Sequence, residues 1–357
     1  MARVPASEST RKRIAELPGG EFEKSELMRE GPPDRRRNAI RETCISRTNF
    51  PRSVNLARCE LSLRVQSMKH PGMRSEVSII IKTFERPRTL DRLLRSILSS
   101  PAADCKILIS DDSLRPITSD LFRRENIQYF KLPYDSGLSY GRNFLVERVA
   151  TPYCVLLDDD FFFIPATRLE ILLDIVKHRG FDLAAGKYDG PQWGPGSGNI
   201  ELAQKNLSIK MGAPPRAIFN GLPVYDFTNN FFLAKTESLR DMPWDNRFKI
   251  YGEHTDFFLR YSAKYRVTFV DEVAIGHDSS GYSFRGGVLR HGPSRGCRSL
   301  RILARKHGFE RFHGKYVFGV RGVLNCFLPM FRIMLGHGTT YLVKRFQNAV
   351  GEARLKN

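Results

Sequence analysis

The sequence predicts an α/β fold with a doubly wound, mainly parallel sheet. Between residues 76 and 160, apolar runs of strand length alternate with segments of helical spacing, and strands joined by helices in this way pair in parallel. Two of the runs end directly in neighbouring carboxylates, and a glycine-containing segment opens one helix. Ligands of open α/β sheets bind outside the carboxyl ends of the strands, so the same features predict a ligand site at that edge.

The first two strands and the helix between them have clear local signals. Residues 77–81 are a short, mostly β-branched run, and leucines and isoleucines recur with helical spacing over residues 89–99. Residues 105–110 form the second predicted strand, which ends in Asp111 and Asp112. Carboxylates at such a position hydrogen-bond either to a ligand or to the backbone of their own turn.

The next two strands lie on either side of a helix. Residues 127–132 form the third predicted strand, and residues 137–149 begin with glycines and continue as a helix. A helix N-terminus of this kind is a common place for an anion. The fourth run, residues 153–157, is apolar or nearly so, which is typical of a strand buried in a parallel sheet.

This fourth strand leads straight into Asp158, Asp159 and Asp160. Three adjacent carboxylates repel one another, and burying them unpaired costs several kcal/mol. A divalent cation that draws in a negatively charged ligand removes this cost, and hard oxygen ligands suit Mg²⁺ or Mn²⁺. The alternative is a solvated acidic turn that caps the next helix. The pattern alone leaves both interpretations open.

Charge divides the chain into three regions. The chain has 357 residues, a hydrophobic content of 41% and a net charge of +19. The positive surplus lies at the two ends, because residues 76–280 contain 26 basic and 27 acidic side chains. We therefore expect a poorly ordered basic extension over residues 1–75, one α/β domain over residues 76–285 and a basic helical extension over residues 286–357.

The basic ends predict contact with an anionic surface or acceptor, with solvated tails as the alternative. Nucleic-acid binding is disfavoured, because the ends carry neither a recognition-helix motif nor an RNA-binding aromatic pattern. The first thirty residues lack the apolar core of a signal peptide, and the most apolar later stretch, residues 316–335, is interrupted by two arginines, an asparagine and a proline. We expect a cytoplasmic or peripheral membrane protein, whose basic C-terminal region either lies on a membrane or packs on the core.

Five segments, in this order and spacing, resemble the motifs of family 2 glycosyltransferases of the GT-A fold. The resemblance extends over about residues 76–285. Its segments are Lys82-Thr83-Phe84-Glu85-Arg86-Pro87, Ile109-Ser110-Asp111-Asp112-Ser113, Gly137-Leu138-Ser139-Tyr140-Gly141-Arg142-Asn143, Leu157-Asp158-Asp159-Asp160, and Gly252-Glu253-His254-Thr255-Asp256-Phe257-Phe258-Leu259-Arg260. Within the family, the pattern is most similar to β-1,4-N-acetylgalactosaminyltransferases.

The resemblance implies a UDP-sugar donor and Mn²⁺ or Mg²⁺. It implies that the nucleotide is bound by Thr83, Arg86, Asp111, Asp112, Arg142 and Asp158. It also implies that the metal is held by Asp158, Asp160 and His277, which follows a predicted strand and a glycine. A turn aspartate, a surface arginine and a structural histidine are the alternatives.

The catalytic base is where this chain departs from the family pattern, because His254 stands where an aspartate is usual. The candidates are Asp256, our first choice, then Glu253, then His254. A carboxylate near a desolvated site gains basicity, whereas histidine needs no shift to act near neutral pH. A capping or salt-bridging acid is the alternative for either carboxylate.

Three further residues are candidates for the acceptor or sugar site. Trp193 lies in a glycine- and proline-rich loop and has a face on which a sugar can stack, with a merely mobile loop as the alternative. Asn229 and Asn230 stand where the family lines the acceptor side, although buried amides that orient a turn are the alternative.

These observations predict a metal-dependent, inverting glycosyltransferase. It would move a sugar, N-acetylgalactosamine or another hexose, from a UDP-sugar to a glycan, glycolipid or other hydroxyl acceptor. The alternative is a catalytically inactive protein of the same fold that binds a nucleotide sugar, an interpretation favoured only by His254.

Overall fold

The computed structural model describes residues 73–278 and 293–319. Its α-helices are α1 Met73–Glu76, α2 Pro87–Leu98, α3 Leu138–Val146, α4 Leu169–His178, α5 Thr236–Asp241, α6 Glu253–Tyr261 and α7 Pro293–His307. Its strands are β1 Val77–Thr83, β2 Lys106–Asp111, β3 Ile127–Lys131, β4 Tyr153–Asp158, β5 Phe161–Phe162, β6 Leu183–Tyr188, β7 Ser197–Ala203, β8 Asn206–Met211, β9 Ala217–Phe219, β10 Leu222–Val224, β11 Phe227–Thr228, β12 Phe232–Lys235, β13 Val267–His277, β14 Arg311–Phe312 and β15 Lys315–Tyr316.

The main sheet has eight strands in the order β3-β2-β1-β4-β12-β6-β13-β5. The first four strands pair in parallel, as the alternation of strands and helices predicts. Strand β12 then lies antiparallel to both β4 and β6, while β13 is parallel to β6. The α/β fold with a mainly parallel sheet is therefore confirmed, and it is consistent with a GT-A fold.

Side chains of the parallel strands alternate between two apolar layers, as the pleat of a strand requires. In β1, Ile79 and Ile81 pack with helices α2 and α4, while Ile80 packs on the other face with helices α3 and α6. All seven residues of β1 are buried. Burying each such isoleucine contributes about 1.5–3 kcal/mol, so the two layers fix the strand from both sides.

Between β6 and β12 the chain leaves the main sheet and returns to it. This excursion, residues 189–231, contains strands β7 to β11. Strands β7 and β8 form an antiparallel hairpin at the centre of a second sheet, whose order is β11-β7-β8-β14-β15. The excursion also carries Trp193 and ends at Asn229 and Asn230.

Helix α7 and the hairpin β14–β15 pack on the preceding part of the domain. Leu303, Ala304 and Phe309 share an apolar cluster with Leu207 of β8 and with Phe248. Of the predicted C-terminal extension, only residues 293–319 lie in the described ranges, and of the predicted N-terminal extension only residues 73–75. The predicted membrane contact falls mostly outside these ranges. Among the residues that are described, no helix is both long and apolar enough to cross a membrane.

Candidate functional site

The predicted ligand edge exists because three strands end side by side. In the parallel pairing of β1 with β2, Thr83 lies opposite Asp111, and in the pairing of β1 with β4, Lys82 lies opposite Asp158. The carboxylates that follow β2 and β4 are therefore brought to the same edge of the sheet.

Asp158, the first member of the triplet, faces two polar side chains. Its carboxylate accepts hydrogen bonds from Nη2 of Arg142 at 2.9 Å and from Nδ2 of Asn230 at 3.1 Å. Arg142 is fully buried on helix α3, with its guanidinium 5.6 Å from the ring of Trp244. A buried guanidinium needs a counter-ion, and Asp158 supplies it. Arg142 thus fixes the orientation of Asp158.

Asp159, the middle carboxylate, is held within the protein. It accepts from the hydroxyl of Thr83 at 2.8 Å and from Nη1 of Arg86 at 2.8 Å, and it is 1% exposed. The same Nη1 also lies 2.6 Å from Asp160. Thr83 and Arg86 therefore relieve the repulsion within the triplet, and a role for either in holding a nucleotide stays a prediction.

Asp160 approaches His277 at the end of β13. Strands β5 and β13 pair with His277 opposite Phe161, which places Nε2 of the histidine 3.5 Å from the Asp160 carboxylate. The imidazole also lies against Trp193, with ring centroids 4.1 Å apart, and against Tyr188. Two predicted metal ligands and one predicted sugar-binding residue are therefore neighbours.

A divalent cation fits this donor set only as a partial site. In the ranges that the structure covers, no group of three or more His, Cys, Asp or Glu side chains is arranged to hold a metal ion. Asp160 and His277 offer one carboxylate and one imidazole, while Asp158 is turned to Arg142. Such ions are commonly bound by one or two protein ligands plus substrate phosphates, and imidazole favours Mn²⁺ over Mg²⁺.

Asp111 and Asp112 organise the turn after β2. Asp111 is fully buried and accepts from the backbone of Ser113 and Ile117 and from the hydroxyl of Tyr129. Asp112 is bound by Lys82 and by the amide of Gly137, at 2.8 Å for the latter. These contacts match the turn-forming alternative, and direct contact of either carboxylate with a nucleotide stays a prediction.

On helix α6, Asp256 does not face the triplet. Its carboxylate is fully buried and is bound by Arg260 at 3.0 Å, by Lys306 at 2.8 Å and by Nε2 of His307 at 2.8 Å. Burial alone would raise the pKa of this carboxyl, but hydrogen bonds from His307 and Lys306 and the charges of Arg260 and Lys306 hold it below its usual value. The structure thus places our first choice of base in a salt-bridge cluster between α6 and α7.

His254 connects the start of α6 to the site. Its Nε2 donates to the carbonyl of Thr228 at 2.5 Å, and Thr228 precedes the two asparagines at the end of the excursion. Burial lowers the pKa of His254 to about 4, and the charge of Arg142 also lowers it. The imidazole is therefore neutral at pH 7, and Glu253 beside it is 7% exposed.

The two asparagines have different positions. Asn229 donates from Nδ2 to the carbonyl of Gly186 at 3.2 Å, so it orients a turn. The side chain of Asn230 donates to Asp158, and its backbone N–H donates to the hydroxyl of Tyr188 at 3.1 Å. Burial raises the pKa of Tyr188.

Sequence reasoning missed Tyr188, Lys82, Lys306 and His307. Tyr188 ends strand β6 at the same edge, so the rule that polar side chains at strand ends form sites was sufficient to find it. Lys306 and His307 had no usable signal, because they lie in a generally basic region about fifty residues from Asp256.

Several buried polar atoms around the triplet make no hydrogen bond to any residue in the described ranges. They are Nε and Nη1 of Arg142, Oδ1 of Asn230, Nδ1 of His277 and Nε1 of Trp193. Native proteins leave few such atoms unsatisfied, and an ion, water or ligand is the usual explanation. The arrangement can therefore bind a polar ligand at this edge of the sheet.

Comparison with known proteins points to one family. The family model described as Glycosyl transferase family 2 matches residues 78–241. Mouse β-1,4 N-acetylgalactosaminyltransferase 2 is 29% identical over 220 residues, which cover 60% of this chain and 42% of that protein. Human β-1,4 N-acetylgalactosaminyltransferase 1 is 31% identical over 217 residues, which cover 57% of this chain and 39% of that protein. The chain thus matches about two fifths of the length of these relatives.

Solved structures give a more distant likeness. The crystal structure of S. aureus TarS 1–349 has a TM-score of 0.44 and 14% identity, and the match covers 65% of each chain. A second structure, of the same protein in complex with UDP, has the same TM-score of 0.44.

Proposed function

We propose that the chain transfers a sugar from a UDP-sugar to a hydroxyl acceptor, because residues 78–241 match the family model described as Glycosyl transferase family 2. The observation that supports this most strongly is the set of unsatisfied buried polar atoms around Asp158, Asp160 and His277. A nucleotide diphosphate with a sugar offers both acceptors and donors for them.

The donor would lie at the carboxyl edge of the sheet. Asp160 and His277 would hold Mn²⁺ or Mg²⁺, which neutralises the charge of the leaving diphosphate when it is bound. Asp158, oriented by Arg142 and Asn230, would accept from donor hydroxyl groups. Arg142 has buried N–H groups left for a phosphate, a pairing that suits a guanidinium.

For the catalytic base, we propose Glu253 in place of Asp256. The Asp256 carboxylate is already bound by Arg260 and Lys306, and its lowered pKa opposes proton abstraction. His254 donates its Nε2 proton to a carbonyl and is a weak base at a pKa of about 4. Glu253 is the other carboxylate in the first turn of this helix and is buried at 7% exposure, where desolvation favours a more basic carboxylate. A base that activates the acceptor directly implies a single displacement with inversion at the anomeric carbon.

The curated relatives are named for transfer of N-acetylgalactosamine. We propose this sugar for the donor and a glycan or glycolipid for the acceptor. Trp193 lies against His277 and within reach of the same site, so its ring would stack on a sugar face.

The test is release of UDP from a panel of UDP-sugars, each with an acceptor mixture, with and without Mn²⁺. We expect release from UDP-N-acetylgalactosamine that depends on both the acceptor and the metal. Absence of release from every donor, together with measurable UDP-sugar binding, would instead establish an inactive nucleotide-sugar-binding protein. His254 and the engaged Asp256 are the observations that favour this second candidate.

A further inference from the structure

A cavity with a volume of about 320 Å³ is lined by none of the triplet residues. Its walls are the first turns of α7, the loop before α3 and residues 246–250. The side chains that matter in its lining are Asp135, Arg247, Lys249, Arg295, Arg298 and Ser299. Its size is at the lower end of the range for small-molecule pockets.

The lining is strongly cationic. Four of its residues are arginine or lysine, and Asp135 is its one acidic residue. Arg295 binds Asp135 through two parallel hydrogen bonds of 3.0 Å, and Lys249 donates to the same carboxylate at 3.3 Å. Burial alone would raise the pKa of Asp135, but Arg295 and Lys249 hold it below its usual value. Because one carboxylate faces four basic side chains, the lining of the cavity has a net positive charge.

The basic side chains of the lining differ in how far they are already engaged. Arg247 is held by Asp245, with Nη2 at 2.6 Å from the carboxylate. Arg298 makes no hydrogen bond or ion pair with any described residue. Arg295 is fixed by its two bonds to Asp135, so its guanidinium is pre-oriented. Arg295 and Arg298 are three residues apart on α7 and so share one face of the helix. An oxyanion in the cavity would accept from both without displacing the bond of Arg295 to Asp135.

The cavity also adjoins the turn after β2. The amide of Asp135 donates to the carbonyl of Asp112 at 3.0 Å, and the amide of Leu138 donates to the carbonyl of Lys249 at 2.8 Å. The cavity therefore shares a loop with the proposed donor site but none of the side chains that contact the triplet.

We propose that this cavity is a binding site for an oxyanion, a phosphate or a carboxylate, carried on a molecule of sugar size. This site is additional to the donor site, and the proposal does not depend on transfer activity.

The test is calorimetric titration of the full-length chain with inorganic phosphate at low ionic strength, without donor or metal. We expect saturable binding of one phosphate to this cavity, which Arg298→Gln weakens about tenfold, the usual effect of losing one charge-assisted hydrogen bond. Arg301→Gln is the matched control, because it removes the same charge from the same helix outside the cavity. Equal weakening by the two substitutions would reveal general charge attraction and would overturn the proposal.

Three further titrations distinguish the source of the anion. A sugar 6-phosphate or a uronic acid that binds more tightly than inorganic phosphate, with the same dependence on Arg298, supports a sugar-sized ligand and tells phosphate from carboxylate. Failure of inorganic phosphate, the sugar 6-phosphate and the uronic acid to bind saturably overturns the site. Displacement of phosphate by UDP in equimolar amount would make the cavity part of the donor site and overturn its independence.

Discussion

The carboxylate of Asp256 lies between two helices, where it accepts from Arg260, Lys306 and His307. A buried carboxylate among cations stays ionised, and such a group stabilises the packing of the helices that supply its partners. Glu253, three residues earlier, belongs to the first turn of the same helix and is the base that we propose. The two carboxylates of one motif thus have separable tasks, which substitution can distinguish.

We expect Glu253→Gln to reduce turnover by roughly 10²–10⁴ while leaving UDP-sugar affinity within a few-fold, as for loss of a general base. Asp256→Asn should instead lower the free energy of unfolding by about 3 kcal/mol, because it removes the buried charge that pairs with Arg260 and Lys306. Initial rates and chemical denaturation of both variants make the comparison. If Asp256→Asn kept its full stability but lost turnover, Asp256 and not Glu253 would be the base.

His254 gives a second prediction at this scale, since its pKa falls from 6.5 to about 4 on folding. The unfolded chain binds a proton at His254 more readily than the folded chain does, so protonation favours unfolding as the pH falls. The contribution of His254 to stability is therefore fully present above pH 6.5 and is lost as the pH falls towards 4. We expect a loss on the order of 3 kcal/mol across that window, at about 1.4 kcal/mol for each unit of the shift.

The measurement is denaturant unfolding at several pH values. His254→Gln keeps a donor for the Thr228 carbonyl but cannot titrate, so its stability should change less over the same window. An equal pH dependence in both proteins would assign the effect to other groups. Asp256 does not interfere, because its lowered pKa places its own contribution below pH 3.8.

At the scale of elements, helix α7 connects parts of the domain that are distant in sequence. Arg295 near its start binds Asp135, Ser299 donates to the carbonyl of Ile250 at 2.9 Å, and Lys306 near its end binds Asp256. The helix therefore contacts the loop before α3, the segment before α6 and α6 itself. It lies beyond residues 78–241, the part that matches the family model.

Lys306→Gln tests this bracing role. The substitution removes a cation from both Asp256 and Asp245, so we expect faster amide hydrogen exchange in α6 and α7 and unchanged exchange in β1 and β4. Arg305→Gln is the matched control, because Arg305 is exposed and its substitution removes the same charge. Uniform exchange changes throughout the sheet would indicate general destabilisation and not a local brace.

The elements that sequence alone predicted were those with local signals. Strands β1 to β4 and helices α2 and α3 are marked by apolar runs and by helical periodicity, and residues 89–99 and 137–149 correspond to Pro87–Leu98 and Leu138–Val146. The antiparallel strand β12 was not predicted in its place, because four residues carry little pattern and their partners are set by the path of the chain. The triplet was singled out because it lies at the end of an apolar strand, whereas His277 was assigned from the resemblance to the family; the roles of both stay predictions.

At the scale of the whole molecule, the site combines residues from β1, β4, α3, the excursion and the end of β13. Removal of metal is the test that addresses this assembly. We expect excess EDTA to abolish sugar transfer, added Mn²⁺ to restore it, and Asp160→Ala to be inactive at any Mn²⁺ concentration. Asp120→Ala, whose side chain is 94% exposed on a remote turn, should behave as wild type. Undiminished transfer in EDTA would exclude the metal-dependent mechanism.

The excursion between β6 and β12 has a consequence for how this fold can diversify. Its two ends are neighbouring strands, since Ala185 of β6 pairs with Phe232 of β12. A loop whose ends are fixed by a sheet can change in length at a small cost in closure entropy. It also carries Trp193 and delivers Asn230 to Asp158. One contiguous segment can therefore change in length and sequence while the parallel strands and their carboxylates stay the same.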